Sequence, residues 1–328
     1  MNSLTPENAD VEKIIVFDVG ARYGIHSSWS ALKNSNLLVT YAFDPDVNEV
    51  KRLKDKYKNN NNYKVYPLAF GNATATKPLN ILTHKGQSSF LQPNLRGSWF
   101  GRTRQGEGVI DAIEEYEIRR MDDWISENCV YPDFLKIDTE GFDYLVLEGA
   151  KSVIKDSLLG LRCEVYFQET FIGVNQFDDI FSFLKKLNYS LANIDYDGKG
   201  SAQSYFCPKA RFGLLTGCEA VFIREEDFYM ELTPVRFLKS IIFLLLNNLE
   251  DLALLYMKKR RELFASVSLL DDEELVTTIE KLFLLSAKNL QYQPGLNFDL
   301  AKSDYHEIFK KPFPDMHHFY ESDFLNPA

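Results

Sequence analysis

Short apolar runs recur along the first two thirds of the chain, most of them closed by an acid, a glycine or a proline. The runs Ile14–Val19, Leu37–Phe43, Tyr63–Pro67, Phe134–Ile137, Gly160–Val165, Ser190–Asp195 and Ala220–Arg224 predict strands. Between them, His26–Asn34, Asp46–Tyr57, Tyr144–Ile154 and Gln176–Leu187 carry helical patterns. In the last of these, Phe177, Ile180, Phe181 and Leu184 share one helical face. Strands alternating with helices predict an α/β fold, a doubly wound and mostly parallel sheet of about seven strands. From Leu232 the pattern changes to apolar, helix-prone sequence that opens at Pro234, and a second helix is expected after the acidic Asp271–Glu274. The chain therefore divides into a sheet domain over 1–230 and a helical extension over 231–328, which would pack on the sheet domain or on a second copy of the chain.

Three stretches lack a clean period. Lys58–Asn62 is rich in asparagine and reads as a solvated turn. Tyr196–Gly217 is polar and joins the last two strands. Thr83–Ile113 is a long, Gly-rich insertion carrying Trp99, Phe100, Arg102 and Arg104, and it suits either an acceptor-binding lid or an unstructured loop.

The chemistry is concentrated where predicted strands end. IIVFDVGARYG, Ile14–Gly24, reads as a buried strand running through Asp18 into a turn with Gly20 and Gly24. In a parallel sheet ligands bind outside the carboxyl ends of the strands, and glycine lets a ligand approach the backbone there. The G-x-G-x-x-G fingerprint of dinucleotide binding is absent, and an acid precedes the first glycine, which suits a cationic ligand better than a pyrophosphate. The second strand ends in Asp44, a carboxylate placed to accept from two ribose hydroxyls. Asp18, Gly20, Gly24 and Asp44 together read as an S-adenosylmethionine site.

The fourth strand, expected beside the first, ends in Asp138 and Glu140, with Asp143 placed to cap the helix that follows. Acids at that tip could orient an acceptor hydroxyl, take its proton or hold a divalent cation. In the fifth strand Glu164 stands among apolar neighbours, where a carboxylate must be paired or lie at a site. It is a candidate base, metal ligand or acceptor-binding group, or else the ion-pair partner of Arg162 on the same strand face.

Composition narrows the partners. With 328 residues, 45% hydrophobic and 26% charged, the chain has the make-up of a soluble globular protein. A net charge of −10 disfavours nucleic acid as substrate, and no basic patch interleaved with aromatics stands out in the sequence. Cys129, Cys163, Cys207 and Cys218 form no C-x-x-C pair, so neither a zinc site nor a disulfide framework is expected. The polar, acidic start is unlike a signal peptide, and no apolar run reaches spanning length, which together suggest a cytoplasmic protein.

Several longer stretches resemble one family. DVGARYG followed by Ser27, FDP, SSFLQPN, RRMDDW, KIDTEGFDYLVLEGA, EVYFQETFIGVNQFDDIFSFLKKLNYSL and CEAVFIRE occur in the order found in the FkbM methyltransferases. The resemblance implies a Rossmann-like class I methyltransferase fold, S-adenosylmethionine as cofactor, and O-methylation of sugars or other small hydroxylated metabolites. It implies that Asp18, Gly20, Gly24 and Asp44 bind the cofactor and that Asp138, Glu140 and Glu164 border the acceptor. The chain departs from the family pattern at Arg22, where Asn is common, and at Asp44 and Asp143, where Glu is common. Arg22 could meet the cofactor's methionine carboxylate or close the loop from outside. Partners expected on this reading are a small-molecule or glycan acceptor and a second copy of the chain joined through the C-terminal helices. The rival readings are a non-catalytic scaffold and a nicotinamide oxidoreductase.

Overall fold

A computed structural model describes residues 13–195, 215–265, 273–290 and 298–309. The packing forms two compact units: Ile15–Gly24 with Thr40–Arg224, and Ile25–Val39 with the described residues from Glu225 onward.

The first unit is built on a seven-stranded sheet. β1 (Ile14–Val19), β2 (Leu38–Phe43) and β3 (Tyr63–Tyr66) form one half of it. After a small second sheet of β4 (Ala69–Phe70), β5 (Ala75–Leu82) and β6 (Ile110–Arg119), the chain returns with β7 (Phe134–Ile137), β8 (Gly160–Tyr166), β9 (Tyr189–Asp195) and β10 (Gly217–Arg224). The order in the large sheet is β3-β2-β1-β7-β8-β10-β9, and β10 runs antiparallel between β8 and β9. All seven strands expected from the apolar runs are present, and the fourth of them, β7, pairs with β1 in parallel. The residues between β9 and β10, 196–214, and with them Cys207, lie outside the described set.

Parallel strands covered on both faces need apolar residues throughout, and β1 and β7 are buried along almost their whole length. Helices α1 (Val47–Lys56), α2 (Met121–Asn128), α3 (Asp143–Gly149), α4 (Lys151–Asp156) and α5 (Phe177–Lys185) cover the faces. Asp46 starts α1 by accepting from the Asn48 and Glu49 N–H groups, and Gln176 with Asp179 closes a capping box on α5. Asp143 is not the N-cap of α3, a position taken by Phe142. On one face, Trp124 of α2 meets Phe17, Tyr41, Phe43, Tyr66 and Phe70 edge-on at 5.1–6.4 Å between ring centres.

The Thr83–Ile113 insertion is structured around one apolar anchor. A single π-helical turn at Trp99–Thr103 sends Phe100 into a cluster with Leu82, Tyr166, Phe171 and Val174. The preceding SSFLQPN tract is tied to the loop after β8: Asn94 N–H donates to Thr170 O at 2.9 Å, and Ile172 N–H to Gln92 O at 2.8 Å.

In the second unit α6 (Glu226–Met230), α7 (Pro234–Leu246), α8 (Glu250–Lys259), α9 (Glu262–Ala265), α10 (Glu273–Leu290) and α11 (Phe298–Phe309) form a helical bundle. α7 is buried almost all round and takes Trp29 against Phe243. The basic run Lys258–Arg261 ends α8 and is tied internally: Lys259 pairs with Glu226, Arg261 with Glu307, and Arg260 lies over the Phe237 ring. None of the described helices is long and apolar enough to cross a membrane.

Candidate functional site

Three strand tips are stitched together at the carboxyl edge of the sheet. Gly20 N–H donates to Phe43 O at 2.9 Å, and Asp138 N–H to Val19 O at 3.0 Å, so the tip of β1 lies between those of β2 and β7. Gly20 sits at φ +76°, and a Cβ there would come within 1.8 Å of Asp138 O. No other residue fits. Gly24, at φ +103°, lies against the ring of Tyr57.

Gly20, Arg22, Asp44, Asp138 and Ser88 line one cleft, closed from the insertion side by Leu79, Ile81 and the Lys85–Gly86 turn. Its volume is about 80 Å³, and it opens to solvent at its mouth. Asp44 is buried here. Its Oδ1 accepts from Asp46 N–H at 2.9 Å, while no hydrogen bond reaches its Oδ2 among the described residues. Burial pushes this carboxyl up to about 6, although the Asp46 hydrogen bond and the Arg22 charge pull the other way. Arg22, also on the cleft wall, is held by Asp46 at 3.0 Å.

Asp18 does not line the cleft. It is 1% exposed and faces Lys136, itself 4% exposed, at 3.3 Å. The register makes this pair, since Asp18 of β1 lies beside Lys136 of β7. Lys136 also reaches Asp138 Oδ2 at 3.5 Å and Gly20 O at 3.4 Å, so one buried ammonium ties the Gly20 turn to the acid turn. Burial favours its neutral form, yet the Asp18 and Asp138 carboxylates outweigh this and hold it protonated above the ordinary lysine range. Sequence reasoning passed over Lys136. The signal was a lone cation inside the otherwise apolar FLKI, which cannot be buried unpaired.

The second group of acids gathers beside the first. Oxygens of Asp138, Glu140 and Glu164 lie within 4.8 Å of one another, a spacing that admits a cation. Arg162 does not pair with Glu164; it turns to Asp195 on β9 and Glu219 on β10. Glu164 instead accepts from the Tyr166 hydroxyl at 2.5 Å, which also lies 3.3 Å from Glu140 Oε2. Burial, followed by the charges of Glu140, Asp138 and Asp143, drives Glu164 well above the usual carboxylate range. Asp143 accepts from Thr139 Oγ1 at 3.0 Å and closes the turn; burial and the Asp138 charge lift it to about 7. Glu140 has a positive φ of 54°, a conformation held by Ser89, whose hydroxyl donates to Glu140 O at 2.7 Å. The SSFLQPN tract thus positions the acid turn.

The sequence model of the methyltransferase FkbM domain matches residues 18–191, more than half the chain. No curated protein matches. Among solved structures, the methyltransferase FkbM from Methylobacillus flagellatus KT aligns over 64% of this chain at 16% identity and a TM-score of 0.39. This chain spans 44% of that protein's length. A precorrin-6y C5,15-methyltransferase from Geobacter metallireducens GS-15 aligns over 65% of this chain and 80% of its own, at 13% identity and a TM-score of 0.30. With a domain match that runs from Asp18 through the cleft to the strand after Glu164, this chain belongs to the FkbM methyltransferase family.

Proposed function

We propose that the chain transfers a methyl group from S-adenosylmethionine to a hydroxyl of a sugar or glycan-like metabolite. The observation that carries this reading is the pairing, across Gly20, of an Asp44 carboxylate with an open oxygen and a knot of acids on the neighbouring strand tips. The residues fit the cofactor: the open Asp44 oxygen suits ribose hydroxyls, the Gly20 turn lets a ligand come close, and the surrounding acids suit a cation. Arg22, fixed by Asp46, has further N–H groups for a carboxylate. When bound, the cofactor supplies a methyl group on a sulfonium already activated for transfer.

The chain's own task is to place and deprotonate the acceptor. A sugar hydroxyl is barely ionised at neutral pH and needs a base at its oxygen. Glu164 is the base on this reading, since its half-buried carboxylate stands with those of Asp138 and Glu140 at the strand tips and is held in place by the Tyr166 hydroxyl. Glu140 and Asp138 orient the hydroxyl beside it.

The test is a binding titration across pH. Asp44 is ionised above about 6, and as pH falls through that value it takes up a proton and loses its charge. Affinity for S-adenosylmethionine is expected to weaken about tenfold between pH 7 and pH 5, and the Asp44→Asn variant to show a flat profile. A wild-type affinity that holds constant over that range would remove Asp44 from the cofactor site.

A further inference from the structure

A second concave surface lies along the edge strand β3, apart from the strand tips. Lys54, Lys58 and Lys64 line it together with Tyr57, Tyr63, Tyr66, Asn60 and Asn61. Between Lys51 and Tyr66 six basic residues stand against one acid, in a chain whose net charge is −10. We propose that this groove binds an anionic carbohydrate, a sugar carrying a phosphate or a carboxylate.

The lysines set the charge. Among the described residues none of the three has a carboxylate within ion-pair range, whereas Arg52 on the same helix is taken up by Glu49 at 2.7 Å. Lys64 donates to the Tyr41 hydroxyl at 2.7 Å and stands 4.6 Å from that ring, which fixes its ammonium and leaves two N–H groups for a ligand. A helix dipole accounts for Lys54, in the last turn of α1, but Lys58 and Lys64 lie beyond the helix.

The walls set the rest of the chemistry. Half-buried Tyr57 stacks on buried Tyr63 at 4.0 Å and half-buried Tyr66 lies parallel to buried Tyr41, so Tyr57 and Tyr66 supply the apolar ring surface that a sugar can pack against. The Asn60 and Asn61 amides both donate and accept, as hydroxyls require. The overall negative charge repels a long polyanion, so a compact anionic sugar suits this patch better than nucleic acid. The asparagine-rich turn, a solvated loop when read alone, becomes one wall of the site, beside a lysine and tyrosine patch that does not stand out in the linear sequence.

The test uses the full chain and glucose 6-phosphate, with glucose, inorganic phosphate and oligothymidylate alongside, read by calorimetry and by NMR shifts. Glucose 6-phosphate is expected to bind more tightly than glucose or phosphate, to weaken with added salt, and to lose at least about tenfold in a Lys54→Gln, Lys58→Gln, Lys64→Gln variant. These positions are exposed, so folding is unaffected, and S-adenosylmethionine affinity is expected to stay unchanged in the variant. Absence of glucose 6-phosphate binding at millimolar concentration, equal binding by the variant, or tighter binding of oligothymidylate overturns the proposal. None of these outcomes bears on the methyl-transfer reading.

Discussion

Replacing Lys136 by methionine is expected to destabilise the chain by about 3–5 kcal/mol, the cost of stranding a buried carboxylate whose partner has been removed. Methionine keeps the length and apolar stem of the lysine, so lost packing contributes little. What it leaves is Asp18, almost wholly buried and without its cation, and Asp138 with one positive neighbour fewer. Urea unfolding should show a lower midpoint with an unchanged slope, and adding Asp18→Asn to the methionine variant should recover part of the loss. A shift below about 1 kcal/mol would mean that the pair is incidental to the fold.

The largest catalytic effect is expected at Glu164. Glutamine there keeps the shape of the side chain and its contact with Tyr166 but cannot take up a proton. Turnover on the best acceptor of a glycan panel, read as release of S-adenosylhomocysteine, should fall by about 10²–10⁴, with cofactor affinity unchanged. Tyr166→Phe keeps the ring packed against Phe171, at 5.9 Å, and removes only the hydroxyl that Glu164 accepts from. Its loss should therefore be smaller. Glutamine at 164 with turnover near the wild-type value would pass the role of base to Asp138.

Much of this was legible in the residues, and where it was not the cause is specific. The strands of the large sheet announced themselves because most are covered on both faces and must be apolar throughout, as in IIVFDV and FLKI. β6 did not, since Ile110–Glu115 is exposed on both faces and leaves no alternation to read. Helix α2 is short, and its Asp122 serves another element, accepting from Ser152 and Val153 N–H at the start of α4. At the site, the strand-tip acids Asp44, Asp138 and Glu140 could be found because each ends an apolar run. The partners could not: Arg162 meets Asp195 and Glu219 only because β10 inserts between β8 and β9. Tyr166 and Ser89 act through hydroxyls in stretches that read as strand and loop.

The most direct measurement is calorimetric titration of the full chain near neutral pH with S-adenosylmethionine and, separately, with NAD. Saturable heat with S-adenosylmethionine, none with NAD, and an affinity about tenfold weaker in Asp44→Asn is the expected result. Silence with S-adenosylmethionine, or binding that Asp44→Asn leaves untouched, would contradict a methyl-donor site at the tips of β1, β2 and β7.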